Sequence, residues 1–267
     1  MEVSYFSKTL DMQSSMGVIL PQKNNDYGVP IKKGVEAPFP VLYFLHGRGG
    51  DHSVMRRFQK LELYAQIYGV VIVMPDAHQS FYTDQLHGSP YITFLAEELP
   101  GIVSEFFRVS TAREDTFAAG ISMGGYGALK LALTYPEKYA ACANMSGSPD
   151  ISYSMTKNPF SRESTARILD ASFGGEKNLM GSKNDIYELS RRLLESGRPV
   201  PRIYLTVGRD DGFAALNRRY YETYGEALGM EFCERDGGHT WGFWQNNIAD
   251  VFKWLDINGD KNDERGK

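Results

Sequence analysis

Short apolar runs recur along the chain, and a helix-length segment of mixed polarity follows each of them. The runs cover residues 40–45, 70–76, 116–121, 139–145 and 202–207. Continuous apolar runs are typical of strands that are buried on both faces. The helical segments lie near residues 53–67, 92–107, 124–135, 185–196 and 213–228. This alternation predicts an α/β fold, with a mostly parallel central sheet flanked by helices.

The two ends of the chain extend this plan. Residues 3–10 and 16–20 have β-like patterns, and a polar stretch over 22–38 predicts a long hairpin or surface loop. Residues 230–234 predict a last strand and 241–255 a last helix. That helix has an apolar stripe for the sheet, at spacings of i, i+4, i+7 and i+11: Trp244, Ile248, Val251 and Leu255.

One long segment interrupts the alternation. Residues 147–200 separate the fourth apolar run from the fifth, and we expect them to form a small cap insertion after the sixth strand, beside the site. The sequence shows no interdomain linker. We therefore expect one domain over residues 1–256, followed by a flexible tail over 257–267.

The pentapeptide Gly120-Ile121-Ser122-Met123-Gly124 joins the third run to a helix. A tight turn between a strand and a helix presents a serine hydroxyl above the edge of the sheet, and glycines avoid collisions across such a turn. A serine also needs a base before it can act as a nucleophile. The pattern also arises by chance in glycine-containing chains, so it is weak evidence alone. It indicates a catalytic serine only if the rest of the chain supplies a base, an acid and an oxyanion site.

The histidine best placed to be the base is His239. It follows two glycines between the last strand and the last helix, so a loop can carry its imidazole over the sheet edge. His46 ends the first run inside a His-Gly-Arg-Gly segment, which suits an oxyanion loop better than proton transfer. The other histidines lie in loop-like segments and are expected to be surface or loop-bracing residues: His52, His78 and His87.

The acid that orients the base should follow another strand at the same edge. Asp210 and Asp211 follow the fifth run, and Asp150 after the fourth run is a rival position. The order serine, acid, histidine is that of α/β-hydrolases. The residues alone do not decide which of the adjacent Asp210 and Asp211 is the acid.

An oxyanion site needs two backbone N–H groups that face the developing negative charge. Met123 follows the candidate nucleophile at the start of a helix and is the first expected donor. The glycine-rich loop after the first run should provide the second, and we expect it to be the N–H of Arg48.

Composition excludes several classes of function. The 267 residues carry a formal charge of −4 with a pI near 5.8, which argues against nucleic acid or an anionic membrane as the partner. No apolar run approaches a membrane span, and the first residues do not resemble a signal peptide, so a cytoplasmic location is expected.

Cys142 and Cys233 are expected to be buried free thiols. Residues 256–260 faintly resemble a calcium loop, but the glycine turn after Asp260 and the later glutamate that complete such a loop are missing, so a solvated tail is expected.

Six segments together resemble the esterase D group of the α/β-hydrolase superfamily, which includes tributyrin, acetyl and feruloyl esterases. The resemblance extends from the first strand to Trp254 and is weakest over 147–200. The segments that carry it are Leu45-His46-Gly47-Arg48-Gly49-Gly50, Met74-Pro75-Asp76, Phe81-Tyr82-Thr83-Asp84, Ala96-Glu97-Glu98-Leu99-Pro100, Gly120-Ile121-Ser122-Met123-Gly124-Gly125-Tyr126-Gly127 and Gly238-His239-Thr240-Trp241.

This resemblance places the acid at Asp211, because in that group the acid follows Gly-x-x and precedes an aromatic residue. It implies hydrolysis of short acyl or small aromatic acyl esters, with no metal and no organic cofactor. Within this class, an acylated oligosaccharide is the narrower candidate substrate. Whether the protein forms a homo-oligomer stays open. The residues expected near the substrate are Gly47, Tyr82, Tyr126, Phe213 and Trp241.

Three other functions stay open. S-formylglutathione hydrolases of the superfamily usually carry a different oxyanion segment, without the His46-Gly47 pair, which lowers the expectation of that thioesterase activity. An acyltransferase would need an acceptor site that excludes water, and no pattern indicates one. A non-catalytic binding protein of the same fold would usually have lost one of the three catalytic side chains. The roles of Asp76 and Asp84 also stay open, since either could brace the oxyanion loop.

Overall fold

The computed structural model describes residues 1–22, 35–156 and 163–257. Eight strands form one sheet in the order β1-β2-β4-β3-β5-β6-β7-β8. The strands are β1 (Glu2–Ser7), β2 (Met12–Ile19), β3 (Val41–Leu45), β4 (Val71–Pro75), β5 (Thr116–Ile121), β6 (Ala141–Met145), β7 (Arg202–Gly208) and β8 (Glu231–Arg235).

The sheet is parallel from β4 to β8. Among the described strands, β2 alone runs in the opposite direction, since it pairs antiparallel with both β1 and β4. In the parallel part, Leu45 of β3 pairs with Gly120 of β5, and Ile121 of β5 pairs with Met145 of β6. The loops that follow these strands therefore meet at one edge. The predicted fold class is confirmed.

Helices cover both faces of the sheet. They are α1 (Val54–Phe58), α2 (Leu61–Tyr68), α3 (Tyr91–Thr93), α4 (Leu99–Phe106), α5 (Met123–Thr134), α6 (Ile151–Thr156), α7 (Glu163–Phe173), α8 (Glu176–Leu179), α9 (Ile186–Ser196), α10 (Ala214–Tyr224) and α11 (Trp241–Leu255). A π-helical turn over Phe94–Glu98 joins α3 to α4. Within the described ranges, no helix is long and apolar enough to cross a bilayer.

The core has one apolar cluster on each face of the sheet. Ala118 of β5 belongs to one cluster and Ala119 to the other, as the alternation of side chains along a strand requires. Helix α11 packs on the second face, and the four residues of its predicted stripe are all buried there. Their burial removes apolar surface from water, which is the main favourable contribution to folding.

The expected cap insertion contains helices α6 to α9, and its residues 157–162 lie outside the described ranges. Most of the predicted loop over 22–38 (residues 23–34) and residues 258–267 of the predicted tail lie outside them too. Ile257 corrects the boundary of the tail, because its side chain is buried in the core. Both cysteines are free thiols; Cys142 is buried, whereas Cys233 is only partly buried on edge strand β8.

The turn between β5 and α5 depends on two glycines. A Cβ atom on Gly120 would overlap the backbone of Gly124, and one on Gly124 would overlap the backbone carbonyl of Leu45. These contacts bring the first turn of α5 directly against the ends of β3 and β5. Only residues without a side chain allow this approach.

We predict that Gly124→Ala destabilises the protein by at least roughly 1–3 kcal/mol, because overpacking against rigid backbone forces a shift of the turn. Urea unfolding followed by circular dichroism measures the change. Gly101→Ala is the matched control, since no atom lies within 4 Å of its added Cβ in helix α4. The control should be neutral or slightly stabilising. Equal stability of the two variants would contradict the role of this contact.

Candidate active site

Ser122 occupies the strained corner of the turn between β5 and α5. Its φ of 54° and ψ of −120° are unusual for a residue with a side chain. The surrounding backbone holds it there. Its N–H donates to the carbonyl of Met145 at 2.8 Å, and its own carbonyl accepts from the N–H groups of Gly125 and Tyr126. The turn therefore fixes the direction of the Ser122 hydroxyl above the sheet edge.

His239 reaches this hydroxyl from the loop between β8 and α11. Its Nε2 lies 2.9 Å from Ser122 Oγ. The imidazole packs edge-on between two aromatic rings, Phe213 at 5.3 Å and Trp244 at 5.0 Å between ring centroids. The next residue, Thr240, caps α11 by accepting a hydrogen bond from the N–H of Phe243. Packing and capping together limit the motion of the ring.

Asp211 contacts the other nitrogen of the same ring. Its Oδ2 lies 2.9 Å from His239 Nδ1, and its Oδ1 accepts from the N–H of Phe213 at 2.9 Å. The Asp211 side chain is only 1% exposed. The rival carboxylates have other surroundings: Asp210 is exposed at the rim of the cavity, and Asp150 forms an ion pair with Arg219. Of the three aspartates considered, Asp211 is the one that orients His239.

Backbone hydrogen bonds hold together the two loops that carry Asp211 and His239. The N–H of Arg209 donates to the carbonyl of Arg235 at 2.8 Å, and that of Asp210 donates to Gly237 at 2.9 Å. The two loops thus continue the pairing of β7 with β8 beyond the ends of the strands. Their separation is set by the sheet rather than by the side chains.

The hydrogen-bonded chain has a definite direction. An ionised carboxylate only accepts, so His239 Nδ1 carries the hydrogen toward Asp211, and Nε2 is left as the acceptor for the Ser122 hydroxyl. This arrangement can remove a proton from Ser122 and can stabilise the resulting imidazolium. The three side chains that the sequence singled out, far apart along the chain, meet at one place.

The glycine-rich loop after β3 lies beside Ser122. The N–H of Gly50 donates to the carbonyl of Gly47 at 3.0 Å, and Gly49 has a φ of 86° within this turn. Arg48 lies in the turn, and both Arg48 and Met123 line the cavity around Ser122. As the first residue of α5, Met123 has an N–H without an intrahelical acceptor. The two residues expected to supply the oxyanion donors therefore line the cavity around the candidate nucleophile.

His46 and Tyr82 hold this loop in place with hydrogen bonds. His46 is buried, its Nδ1 donates to the carbonyl of Gly47 at 2.9 Å, and its Nε2 accepts from the N–H of Ala77 at 3.1 Å. The Tyr82 hydroxyl donates to the carbonyl of His46 at 2.8 Å. Tyr82 is fully buried, so the predicted substrate contact at Tyr82 is not supported. No pattern in the sequence predicted the hydrogen bond from Tyr82 to this loop.

The two aspartates with open roles do not contact the loop backbone. Asp76 accepts a hydrogen bond from the N–H of His78, and its Oδ1 lies 3.7 Å from His46 Nε2. Asp84 accepts from both the N–H and the hydroxyl of Thr93. Asp76 thus acts on the loop only through His46, and Asp84 fixes the start of the 91–106 helical segment.

A cavity of about 530 Å³ opens above Ser122, and its walls are mostly apolar. Its lining residues are Arg48, Phe81, Ser122, Met123, Tyr126, Ser148, Ile151, Ser154, Leu169, Asp210, Asp211, Gly212, Phe213, Gly238, His239 and Thr240. Phe213 therefore lies where the sequence predicted a substrate contact, whereas Tyr126 belongs to the lining but is fully buried, like Tyr82. The cap contributes Ser148, Ile151, Ser154 and Leu169, which no motif marked in advance.

Two other predicted contacts are outside the lining. Trp241 packs its ring against Phe58, with ring centroids 4.6 Å apart, and against the edge of Trp244 at 5.3 Å. This packing occupies the ring, so the predicted substrate contact at Trp241 is not supported. Gly47 is outside the lining as well, so the predicted substrate contact there is not supported. An added Cβ would be 3.5 Å from the Cβ of Ser122, an ordinary contact distance.

Comparison with known sequences extends these observations. The sequence model of the Esterase family matches residues 7–255. An acetyl esterase of Caldicellulosiruptor saccharolyticus is 29% identical over 96% of this chain and 97% of its own length. An S-formylglutathione hydrolase of Paracoccus denitrificans is 25% identical over 80% of this chain and 81% of its own.

Solved structures share the fold across nearly the whole chain. The substrate-bound fluorophosphonate-binding serine hydrolase F (FphF) of Staphylococcus aureus has a TM-score of 0.84 at 25% identity, covering 96% of this chain and 97% of that one. A ferulic acid esterase has a TM-score of 0.74 at 20% identity, covering 96% of each. With the family match over residues 7–255, these similarities show that the chain belongs to the Esterase family and is a serine esterase with the α/β-hydrolase fold.

Proposed function

We propose that the protein hydrolyses short-chain acyl or small aromatic acyl esters, with Ser122 as nucleophile, His239 as general base and acid, and Asp211 as the residue that orients His239. One observation carries this proposal. A continuous hydrogen-bonded chain runs from Ser122 Oγ through both nitrogens of His239 to a buried carboxylate, with 2.9 Å at each step. No cofactor is needed for this chemistry.

In the first half of the reaction, Ser122 Oγ attacks the ester carbonyl while its proton passes to His239 Nε2. The carbonyl oxygen becomes negative, and the N–H groups of Met123 and Arg48 are the proposed donors to it. Collapse of this intermediate breaks the ester bond. The leaving alcohol takes the proton from His239, and the acyl group stays on Ser122.

In the second half, water replaces the alcohol. His239 takes a proton from the water as it attacks the acyl carbon, and the same oxyanion donors stabilise the second intermediate. The proton then returns to Ser122 Oγ as the carboxylic acid leaves. Throughout, Asp211 orients His239 and stabilises the imidazolium, and it takes no proton itself.

The cavity supports a small substrate. Its volume of about 530 Å³ is within the usual range of ligand pockets, and its apolar walls suit an acyl chain or an aryl group. The similarity to an acetyl esterase supports acetyl esters within this class, and an acylated sugar is the narrower candidate. The relative that is an S-formylglutathione hydrolase supports a thioester as the second candidate. The same serine chemistry would act on either.

We predict that wild-type protein hydrolyses p-nitrophenyl acetate or butyrate, or methyl ferulate, and that Ser122→Ala lowers kcat/KM by a factor on the order of 10⁴ or more. The loss follows because the mutant has no group to form the acyl-enzyme. Spectrophotometric rates on acetyl, butyryl, octanoyl and feruloyl esters and on S-formylglutathione rank the substrate classes. If folded wild-type protein cleaved none of these substrates, the proposal would be wrong.

The two adjacent aspartates provide a matched pair. Asp211→Asn should lower kcat by about 10³–10⁴-fold, because an amide no longer holds His239 in the required tautomer. Asp210→Asn removes the same charge one residue away at the exposed rim, and its kcat should stay within about threefold of wild type. Steady-state rates on the best ester of the panel measure both. Equal losses in the two variants would contradict the assignment of Asp211.

A further inference from the structure

Lys130 is a buried lysine outside the proposed catalytic machinery. It lies on α5, two turns beyond Ser122, and its side chain is among the largest that are fully buried. A lysine is rarely found at such a position, because moving its ammonium out of water is costly. An apolar side chain of the same length would fill the space without that cost. A buried lysine therefore indicates a specific use for its hydrogen bonds.

Its partners come from two different segments. Nζ lies 2.5 Å from the hydroxyl of Thr83, in the loop after β4, and 2.5 Å from the amide oxygen of Asn184, in the cap. Thr83 also donates directly to this amide oxygen at 2.5 Å. Lys130 thus closes a triangle of hydrogen bonds that joins helix α5, the loop and the cap.

Both partners are uncharged. Burial lowers the pKa of the Lys130 ammonium well below its usual range, against the opposing effect of the Asp84 carboxylate. Asp84 and the cap residue Lys183 are themselves 3.5 Å apart at the protein surface. The contacts of Lys130 are therefore those of a directional hydrogen-bond donor rather than of one half of an ion pair.

Asn184 connects this triangle to the cavity. While its side chain accepts from Lys130, its backbone carbonyl accepts from the hydroxyl of Tyr126 at 2.7 Å. Tyr126 lies one turn before Lys130 on the same face of α5, and its ring is 5.9 Å from Lys130 Nζ. Tyr126 itself is fully buried, and its ring makes an edge contact with Phe81, which lines the cavity. If Asn184 moved, the hydroxyl of Tyr126 would lose its hydrogen-bond acceptor.

We propose that Lys130 is a positioning residue that holds Asn184 of the cap against α5 and thereby sets, through Tyr126, the size of acyl group that the cavity accepts. This inference rests on the proposed function, since it takes the cavity above Ser122 as the acyl site. It makes Lys130 a determinant of selectivity rather than of the chemical step. The cap, which is the segment least similar to the esterase D group, is tied to the nucleophile helix at this point.

The experiment compares Lys130→Met with wild type on p-nitrophenyl acetate and p-nitrophenyl octanoate. Methionine keeps the length and loses the donors. We expect the ratio of kcat/KM for octanoate to that for acetate to rise roughly tenfold, the usual effect of losing one buried hydrogen bond that holds Asn184, as Tyr126 and the Phe81 side chain against it loosen. The kcat for acetate should stay within about threefold of wild type, because Ser122, His239 and Asp211 are unchanged.

Two further variants separate positioning from a general loss of stability. Asn184→Leu should shift the ratio in the same direction, and the double variant should be no worse than the larger single change, since both remove the same contact. Lys138→Met is the control: this lysine binds the carbonyl of Ala96 beyond the end of α5, and its loss should leave the ratio unchanged.

If Lys130→Met does not fold, Thr83→Val removes one partner with little change in shape and should raise the ratio about threefold. A folded Lys130→Met or Thr83→Val variant with the wild-type ratio would overturn the inference. So would a uniform loss of kcat on both esters. These results differ from failure of the proposed function, in which wild-type protein itself would cleave neither ester.

Discussion

The backbone contact between the start of α5 and the ends of β3 and β5 is the constraint on which the site depends. Gly120 and Gly124 allow the chain to reverse within a space that no Cβ atom could share. The cost of the strained conformation at Ser122 is offset by the packing of the sheet and of α5 on either side. A looser turn would leave the serine hydroxyl free to rotate away from His239, so the strain is part of how the residue is presented.

The sheet positions every other part of the site relative to the turn at Ser122. β3 leads to the oxyanion loop, β5 to Ser122, β7 to Asp211 and β8 to His239, and the parallel pairing brings all four strand ends to one edge. The side chains add little to this placement; their hydrogen bonds refine the direction of groups that the backbone has already brought together. The cap then closes the space above Ser122, and its attachment at Asn184 couples the width of that space to α5.

The strands, the helices, Ser122, His239 and the loop that supplies the acid were predictable, because buried parallel strands have continuous apolar runs and each loop residue follows one of them. The choice of Asp211 over Asp210 was not predictable from the residues alone, since neighbouring loop residues differ only in direction. The environments of aromatic residues were also hidden: Tyr82 lies beneath the oxyanion loop and Trp241 stacks on Phe58, contacts between segments distant in sequence. The same holds for Lys130, whose partners lie about 50 residues away on either side.

The most direct test of the central claim is covalent labelling by an alkyl fluorophosphonate, followed by peptide mass spectrometry. The reagent phosphonylates a serine only where a base has activated it. We expect one adduct per chain, on the peptide that contains Ser122, and no adduct at neutral pH after His239→Ala. Labelling of a different serine, or hydrolysis of esters by a protein in which Ser122 stays unlabelled, would contradict it.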